Sequence, residues 1–173
     1  QTIKDKIKHI TENEECEIKK LGDICEIQDG YKFKKNDLND NKNNIPLIRA
    51  TYIVNKNLTT YVIEDEKYKK YKIEYGDILM SQVGNVGIIC KYLEEQYGYN
   101  KMNAFRIRAT NINKNYLYFY LKQDMFKNKI ITMGSIVNFI SIPDLKEILI
   151  PIPKNKQLIN DMQPLFDKVE ELQ

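Results

Sequence analysis

Short apolar segments, separated by turns rich in glycine or asparagine, are the feature that most restricts the fold of this 173-residue chain. Residues 103–109 predict a β-strand that places Phe105 and Ile107 on one side. Residues 76–90 predict a pair of strands joined by a turn at residues 84–87. No apolar run approaches the roughly 20 residues that a membrane-spanning helix needs, so we expect no membrane contact.

The remaining segments predict a mixture of helices and strands. Residues 18–27 indicate a short helix or turn followed by a strand, and residues 45–51 indicate a strand with a proline near its start. Residues 115–131 have the apolar spacing of a helix. After Gly134, two short strands are expected to lead to residues 148–153. We therefore expect an α+β fold, with a twisted mixed or antiparallel β-sheet and flanking helices.

Both ends of the chain carry apolar residues at helical spacing. Ile3, Ile7 and Ile10 suit a short amphipathic helix near the N-terminus, although a frayed linker fits equally well. In the tail, apolar residues spaced by four, three, four and three positions form a seam that packs either against a partner helix or against the chain's own domain. The seam residues are Leu158, Met162, Leu165, Val169 and Leu172. Pro164 predicts that the stable helix either begins there or is kinked.

The formal net charge is only +3, but the basic residues are unevenly distributed. Residues 28–60 carry six Lys or Arg against three acidic residues, and residues 96–143 carry seven against one. Both blocks also contain Tyr, Asn and Gln, which together with Arg and Lys hold phosphates and contact base edges. Frequent Lys, Asn, Ile and Tyr also fit an AT-rich genome, so individual lysines are less informative than the arginines. The arginines are Arg49, Arg106 and Arg108.

The residues needed for several kinds of catalysis are missing from the sequence. Cys16, Cys25 and Cys90 lack the spacing of a zinc site, and His9 is the single histidine. We interpret the cysteines as buried small hydrophobic residues or idle thiols, which fits a reducing cytoplasm. The sequence contains no nucleotide-binding P-loop and no Asn/Asp-Pro-Pro-aromatic loop of an adenine methyltransferase. We therefore expect neither a metal site nor a catalytic site.

Three stretches of the sequence resemble, in the same order, segments of a known family. They are residues 18–27 followed by Gly30, residues 76–87 with the pattern GDIL…GN.G, and a closing stretch with Gly134-Ser135, residues 140–145 and residues 148–153. The family they resemble is the target recognition domain of specificity subunits in Type I restriction–modification systems. Gln157 and Ile159 fall where the conserved helix of that family begins. The sequence departs from the family at Lys154, where a second proline is usual, and at Pro164, which interrupts the expected long helix.

This resemblance implies sequence-specific recognition of double-stranded DNA without catalysis in this chain. A recognition domain of this family contacts the major groove, while a partner methyltransferase subunit flips the target adenine and holds the cofactor S-adenosylmethionine. No cofactor is therefore expected in this chain. Restriction subunits are further expected partners, and the expected location is the cytoplasm.

The resemblance also implies a division of the chain. We expect an N-terminal helix or linker in residues 1–17, a DNA target recognition domain in residues 18–153, and the start of a spacer helix in residues 154–173. The spacer helix would be coiled-coil-like, would fix the distance between half-sites, and could mediate a dimer. Full subunits of the family carry two recognition domains. The chain could be one half of such a subunit, a naturally single-domain version, or the recognition domain of a fused restriction–methylation enzyme. Because Gln1 is not Met and the seam is cut short, we expect a domain excised from a longer protein.

Candidate DNA contacts lie at the predicted turns and strand ends. Lysines after the Gly30 turn are expected to hold phosphates, and the residues around Arg49 are expected to reach base edges. The candidates are Lys32, Lys34, Lys35, Arg49, Thr51, Tyr52, Ser81, Gln82, Asn85, Lys101, Asn103, Ser135 and Asn138.

Two other functions remain open at this stage. The chain could be a protein-interaction module that docks a partner through its C-terminal helix, with the basic blocks reflecting genome composition. It could also be a fragment of a fused DNA methyltransferase or endonuclease, although the expected catalytic motifs are missing.

Overall fold

The structure is a computed structural model that describes residues 2–132 and 139–171. The helices within these residues are α1 (Ile3–Asn13), α2 (Leu21–Ile24), α3 (Ala50–Asn55), α4 (Lys114–Leu121), α5 (Asp124–Thr132), α6 (Ile142–Lys146), α7 (Gln157–Asn160) and α8 (Gln163–Glu171). The strands are β1 (Cys16–Lys20), β2 (Cys25–Gln28), β3 (Leu38–Asn39), β4 (Ile45–Ile48), β5 (Tyr61–Val62), β6 (Lys72–Ile73), β7 (Ile78–Ser81), β8 (Ile89–Lys91), β9 (Gly98–Asn100), β10 (Ala104–Ala109) and β11 (Leu149–Pro153). Short 3-10 helices span Lys35–Asp37 and Glu66–Tyr71.

The strands form two main sheets and one small ribbon. The four-stranded sheet is antiparallel, in the order β2-β10-β7-β8, and the five-stranded sheet has the order β3-β5-β4-β9-β6 with a parallel β4–β9 pair. The ribbon pairs β1 with β11. Helices and mixed sheets together confirm the predicted α+β class. Strands β9 and β10 lie in different sheets but are separated by residues 101–103 alone, so the chain passes from one sheet to the other within three residues.

The central strand β10 divides the core as its alternation predicts. Phe105 and Ile107 are fully buried in a large cluster with α1, α4 and α8. Ala104 lies on the other side, in a second cluster that joins strands of both main sheets with α3. A third cluster, which includes Tyr99, lies within the five-stranded sheet. Burial of these side chains is the main driving force that holds the two sheets and the helices together.

The N-terminal segment is a helix, and the alternative of a frayed linker is wrong. Ile3, Ile7 and Ile10 are all buried in the same cluster as β10. Thr2 caps the helix, since its side chain accepts a hydrogen bond from the Asp5 backbone N–H at 3.1 Å.

The C-terminal helix begins near its proline, as one of the two alternatives predicted. Pro164 is the second residue of α8, where the lack of an N–H costs no helical hydrogen bond. Met162 and Phe166 are buried against the domain's own core, and the seam residues Leu165 and Val169 pack partly against it. Leu158 also packs partly against this core, and Leu172 lies outside the described residues. Within the described part, the seam therefore contacts the chain's own domain.

The strand predicted at residues 45–51 is shorter than expected. It ends at Ile48, and α3 follows after Arg49. The helix turns Tyr52 and Ile53 inward, so that both are buried in the second cluster. Burial of these large side chains outweighs the β preference of the sequence.

The predicted single helix over residues 115–131 is two helices. Helices α4 and α5 are separated at Lys122 and Gln123. Gln123 is buried, and its side-chain amide donates to the Phe119 carbonyl at 3.3 Å. The break allows both helices to contribute to one cluster, α4 with Tyr120 and α5 with Phe126.

Residues 140–145 form no strand, which corrects part of the prediction for the region after Gly134. They enter α6, because Ser141 Oγ accepts a hydrogen bond from the Asp144 N–H at 3.3 Å and Pro143 occupies the first turn. Residues 133–138, which include Gly134, lie outside the described residues.

We expect Ile7→Ala to lower the free energy of unfolding by about 2–5 kcal/mol, because it opens a cavity where α1 meets the core. The exposed neighbour Lys8 provides the control, and Lys8→Ala should change the value by less than about 0.5 kcal/mol. Urea unfolding followed by circular dichroism measures both. Equal stability of the two variants would show that α1 is not part of the core.

Candidate functional site

The three residues between β9 and β10, named here the crossover turn (residues 101–103), bind three other segments through backbone hydrogen bonds. The Lys101 N–H donates to the Ile48 carbonyl at 2.9 Å, and the Met102 N–H donates to the Tyr31 carbonyl at 3.0 Å. The Gln82 N–H donates to the carbonyl of Asn103, also at 3.0 Å. The ends of β2, β4 and β7 therefore meet at the crossover turn.

The sharp bend of the crossover turn depends on two asparagines. Asn103 has a φ of 85°, in the left-handed region that Asn tolerates better than most residues. The Asn100 side chain is fully buried, and its amide donates to the Ala104 carbonyl at 2.8 Å. This bond closes the turn across its base.

Gly30 allows the chain after β2 to approach the crossover turn. A Cβ atom at this position would lie 2.1 Å from the Lys101 carbonyl, so no side chain fits. The Tyr31 N–H then donates to the Asn100 carbonyl at 2.9 Å, and Tyr31 forms a parallel bridge with Lys101. The glycine turn expected from the sequence therefore has a defined steric cause.

The β7–β8 hairpin also meets the crossover turn, beside the segments that follow β2 and β4. Ser81 Oγ donates to the Asn85 carbonyl at 2.6 Å and accepts from the Ile88 N–H at 2.9 Å, which holds the turn closed. Val83 forms an antiparallel bridge with Phe139. The side-chain amide of Gln82 donates to the Ile140 carbonyl at 3.4 Å, so residues 139–140 join the same surface.

These loops form one surface, named here the loop face. It consists of residues 30–32, 49–51, 82–87, 101–103 and 139–140, which belong to separate parts of the sequence. Candidate residues exposed on it are Lys32, Arg49, Thr51, Asn85 and Asn103, and the half-buried ones are Gln82 and Lys101. Lys34 and Lys35 are exposed further along the chain, after the buried Phe33. Ser135 and Asn138 lie outside the described residues.

Two sequence candidates are buried below the loop face. Tyr52 is 1% exposed, because it lies in α3 and not at the end of a strand as expected. Its hydroxyl donates to Glu94 Oε1 at 3.1 Å, and burial together with this carboxylate raises the pKa of the phenol. Ser81 is also buried, with its hydroxyl occupied in the hairpin turn. Both side chains support the surface from beneath.

The arginines divide into one free cation and two structural ones. Arg106 is 3% exposed, donates to the Lys72 carbonyl at 2.9 Å and pairs with the Glu26 carboxylate. Arg108 forms a bidentate ion pair with Asp77, in which Nε donates to Oδ1 at 2.8 Å and Nη2 donates to Oδ2 at 2.6 Å. Within the part of the chain that the structure describes, the exposed Arg49 side chain has no hydrogen bond or ion pair. Arg49 is therefore the arginine available to a ligand.

Three exposed apolar side chains on the loop face were missed by the sequence reasoning. Val83 and Met102 are each 39% exposed, and Phe139 is 50% exposed. Exposed apolar groups beside polar ones suit contact with thymine methyl groups in the major groove. Val83 and Met102 directly precede the predicted turn at 84–87 and the predicted strand at 103–109, but exposed apolar residues are indistinguishable from core residues without the fold.

The cysteines behave as the sequence indicates. Cys25 and Cys90 are buried, Cys16 is half-buried, and all three thiols are free. Burial raises the pKa of Cys25 to about 12, which makes its thiol unreactive at neutral pH. In the described ranges, no cluster of His, Cys, Asp and Glu could hold a metal ion, and no helix has the length and apolarity to cross a membrane.

We expect Gly30→Ala to lower the free energy of unfolding by about 1–3 kcal/mol or more, because the added Cβ overlaps the backbone of the crossover turn. Gly84→Asn is the matched control, since Gly84 faces open space at a positive φ that Asn tolerates, and it should cost less than about 1 kcal/mol. Chemical denaturation of both variants checks this. A neutral Gly30→Ala would contradict the close approach of the two segments.

Comparison with protein families gives a match over almost the whole chain. The profile described as a Type I restriction modification DNA specificity domain matches residues 13–172. A curated relative, the Type I restriction enzyme MjaVIII specificity subunit of Methanocaldococcus jannaschii, is 25% identical in an alignment that covers 81% of this chain and 36% of that protein.

Solved structures share the fold. The HsdS subunit from Thermoanaerobacter tengcongensis superposes with a TM-score of 0.69 at 14% identity, over 98% of this chain and 42% of that one. The Type I restriction-modification S subunit from M. genitalium has a TM-score of 0.59 at 20% identity, over 96% and 43%. At these identities the structures establish the fold alone. The chain spans less than half the length of each of these relatives.

Proposed function

The chain belongs to the family of Type I restriction–modification DNA specificity domains, and on that premise we propose that it reads a specific sequence in double-stranded DNA through the loop face. The resemblance drawn from three sequence stretches is thereby confirmed at the level of the family. We further propose that this recognition of DNA directs a methyltransferase and endonuclease complex to its target site.

The observation that supports this proposal best is the meeting of four separate loops around the crossover turn. Together they expose a free arginine, lysines, amides and three apolar side chains on one surface. Arg reads guanine, Asn and Gln read adenine, and apolar groups contact the thymine methyl group. A surface that combines these groups on rigidly connected loops has the chemistry for reading base edges.

The candidate residues divide into two proposed roles. Arg49 and Asn103, with Gln82, Asn85 and Thr51 beside them, contact base edges. Lys32, Lys34, Lys35 and Lys101 contact phosphates, which position the domain on the duplex without carrying sequence information. Ser135 and Asn138 remain proposed contacts because they follow Gly134 in the sequence.

The partners are also proposals, because the chain spans 36–43% of its relatives. Catalysis belongs to a methyltransferase subunit that flips the adenine and holds S-adenosylmethionine, with restriction subunits in the complete complex. The complex acts in the cytoplasm. Within the chain, we propose residues 18–153 as the recognition domain, preceded by the segment of residues 1–17 that contains α1.

The C-terminal segment, residues 154–173, is proposed as the start of the spacer helix. Leu165 and Val169 are only partly covered and line an apolar groove of about 460 Å³ with Ile3 and Phe119. This groove would receive a second, antiparallel helix of the specificity subunit. A helix-mediated dimer is the corresponding arrangement for a subunit with one recognition domain.

Selection from a randomised duplex pool tests the function directly. The chain is incubated with the pool at two salt concentrations, and the bound DNA is sequenced. We expect enrichment of a short asymmetric motif that contains an adenine. Absence of binding at low salt would contradict DNA reading and favour the protein-interaction module.

We expect Arg49→Ala to weaken binding to the selected motif by about 1–3 kcal/mol and to relax the preference at one base pair. Lys34→Ala should instead weaken binding to all sequences alike. It should also reduce the slope of log K against log salt concentration by about 1. Fluorescence anisotropy with the motif and with its single-base variants measures both effects. Unchanged affinity in folded Arg49→Ala protein would remove Arg49 from the interface.

We expect Phe139→Ser to reduce the preference for the selected motif over random duplex, because it removes an exposed apolar contact without changing charge. Ile63→Ser is the matched control, since Ile63 is 69% exposed and lies outside the loop face. The same anisotropy assay applies. Equal specificity of the two variants would exclude an apolar contribution from Phe139.

A further inference from the structure

A cavity outside the loop face brings three lysines together. It has a volume of about 530 Å³ and lies between α3, the edge strand β8 and the end of α4. Its charged lining residues are Lys56, Lys91, Lys122 and Glu94. Lys56 comes from the first basic block of the sequence and Lys122 from the second, so the fold joins here two blocks that are far apart in the chain.

The three ammonium groups are held in place by aromatic rings. Lys91 Nζ and Lys122 Nζ lie 4.7 and 5.2 Å from the centroid of the same Tyr118 ring, and Lys122 Nζ donates to the Tyr118 hydroxyl at 3.2 Å. Lys56 Nζ lies 5.4 Å from the Tyr52 ring centroid. Two cations that share one ring repel each other, so this arrangement favours an anion between them.

Glu94 lines the same cavity, but no carboxylate forms an ion pair with the three lysines among the residues that the structure describes. Glu94 accepts a hydrogen bond from Tyr52, and none of the three lysines forms an ion pair there. Lys91 is half-buried, with the Asn115 side-chain oxygen 3.4 Å from its Nζ. Burial lowers the pKa of Lys91, and the charges of Lys114 and Lys122 add to this, against an opposing effect of Glu170.

Lys56 lies at the C-terminal end of α3 and lines the cavity from there. Lys56 ends α3 with a φ of 60°, in the left-handed region that is unusual for a residue other than Gly or Asn. Lys56 directly follows α3 and Lys122 directly follows α4, and both line the cavity together with Cys90.

We propose that this lysine cavity binds a phosphate group. Lysine is a compact point charge with three donors, and several lysines around one cavity can bind the oxygens of a phosphate group. The apolar walls, Ile53, Ile89 and Leu93, leave room for the sugar or base attached to such a group.

The phosphate has two possible sources, a free nucleotide and the DNA backbone. Helix α3 connects Arg49 on the loop face to Lys56 in the cavity, and its six residues span about 9 Å, or nearly three base-pair steps of a duplex. A backbone phosphate just outside the bases read by the loop face would reach the cavity. This second source rests on the proposed function, whereas the phosphate site itself does not.

The test uses sodium pyrophosphate as the probe, titrated into the chain by calorimetry at low salt. The variant combines Lys91→Gln with Lys122→Gln. The control combines Lys8→Gln with Lys69→Gln, which removes the same charge from exposed lysines outside the cavity. We expect wild type and control to bind alike and the cavity variant to bind at least about 10-fold more weakly. Absence of binding to wild type, or equal binding to all three, would overturn the proposal.

Folding and source are separated by two further measurements. If the cavity variant has an altered unfolding midpoint, Lys56→Gln replaces it, because Lys56 is exposed and its substitution leaves the core intact. The second measurement is the salt dependence of binding to a random duplex. If log K falls less steeply with log salt concentration for the cavity variant, by about 0.9 per lost phosphate contact, the bound phosphate belongs to the DNA backbone. Equal slopes, with pyrophosphate binding lost, identify a free nucleotide. If the wild-type chain binds no duplex, the proposed function is wrong. The pyrophosphate titration still shows whether the lysine cavity binds phosphate.

Discussion

The crossover turn is the constraint on which the rest of the structure depends. Within residues 101–103 the chain leaves the five-stranded sheet and enters the four-stranded one, and each of these residues bonds to a different neighbouring segment. The turn can bend so sharply because Asn103 accepts a left-handed conformation and Gly30 has no side chain to block it. The same three residues therefore join the sheets and assemble the loop face.

The basic residues near the crossover turn have two different roles. Arg106 is buried and links β10 to β2 and β6, and the half-buried Arg108 is paired with the buried Asp77. Arg49 and the loop-face lysines Lys32 and Lys101 form no ion pair among the described residues. Other exposed lysines do, for example Lys20 with Glu147. A count of basic residues in the sequence overestimates the charge available to DNA, and the fold corrects it.

The spacing of apolar residues predicted those strands and helices in which these residues form one buried face. The strand with Phe105 and Ile107 and the hairpin that follows Gly76 are examples, whereas the N-terminal helix was one of two alternatives. The loop face could be predicted only as a set of separate turns, because its assembly depends on backbone bonds such as that from Gln82 to Asn103. Roles of single side chains were the least predictable. Ser81 and Tyr52 have the chemistry of DNA contacts, yet hydrogen bonds and burial hold both beneath the surface.

The most direct test of this account is hydrogen–deuterium exchange of the chain, alone and bound to a duplex that carries its selected motif. Slower exchange in the bound state is predicted for residues 30–35, 82–87 and 101–103, since DNA would cover the loop face and restrain its opening. Exchange in α1 and α8 should not change. Protection confined to α1 and α8, with unchanged exchange in the crossover turn, would contradict the central claim that the loop face is the DNA-reading surface.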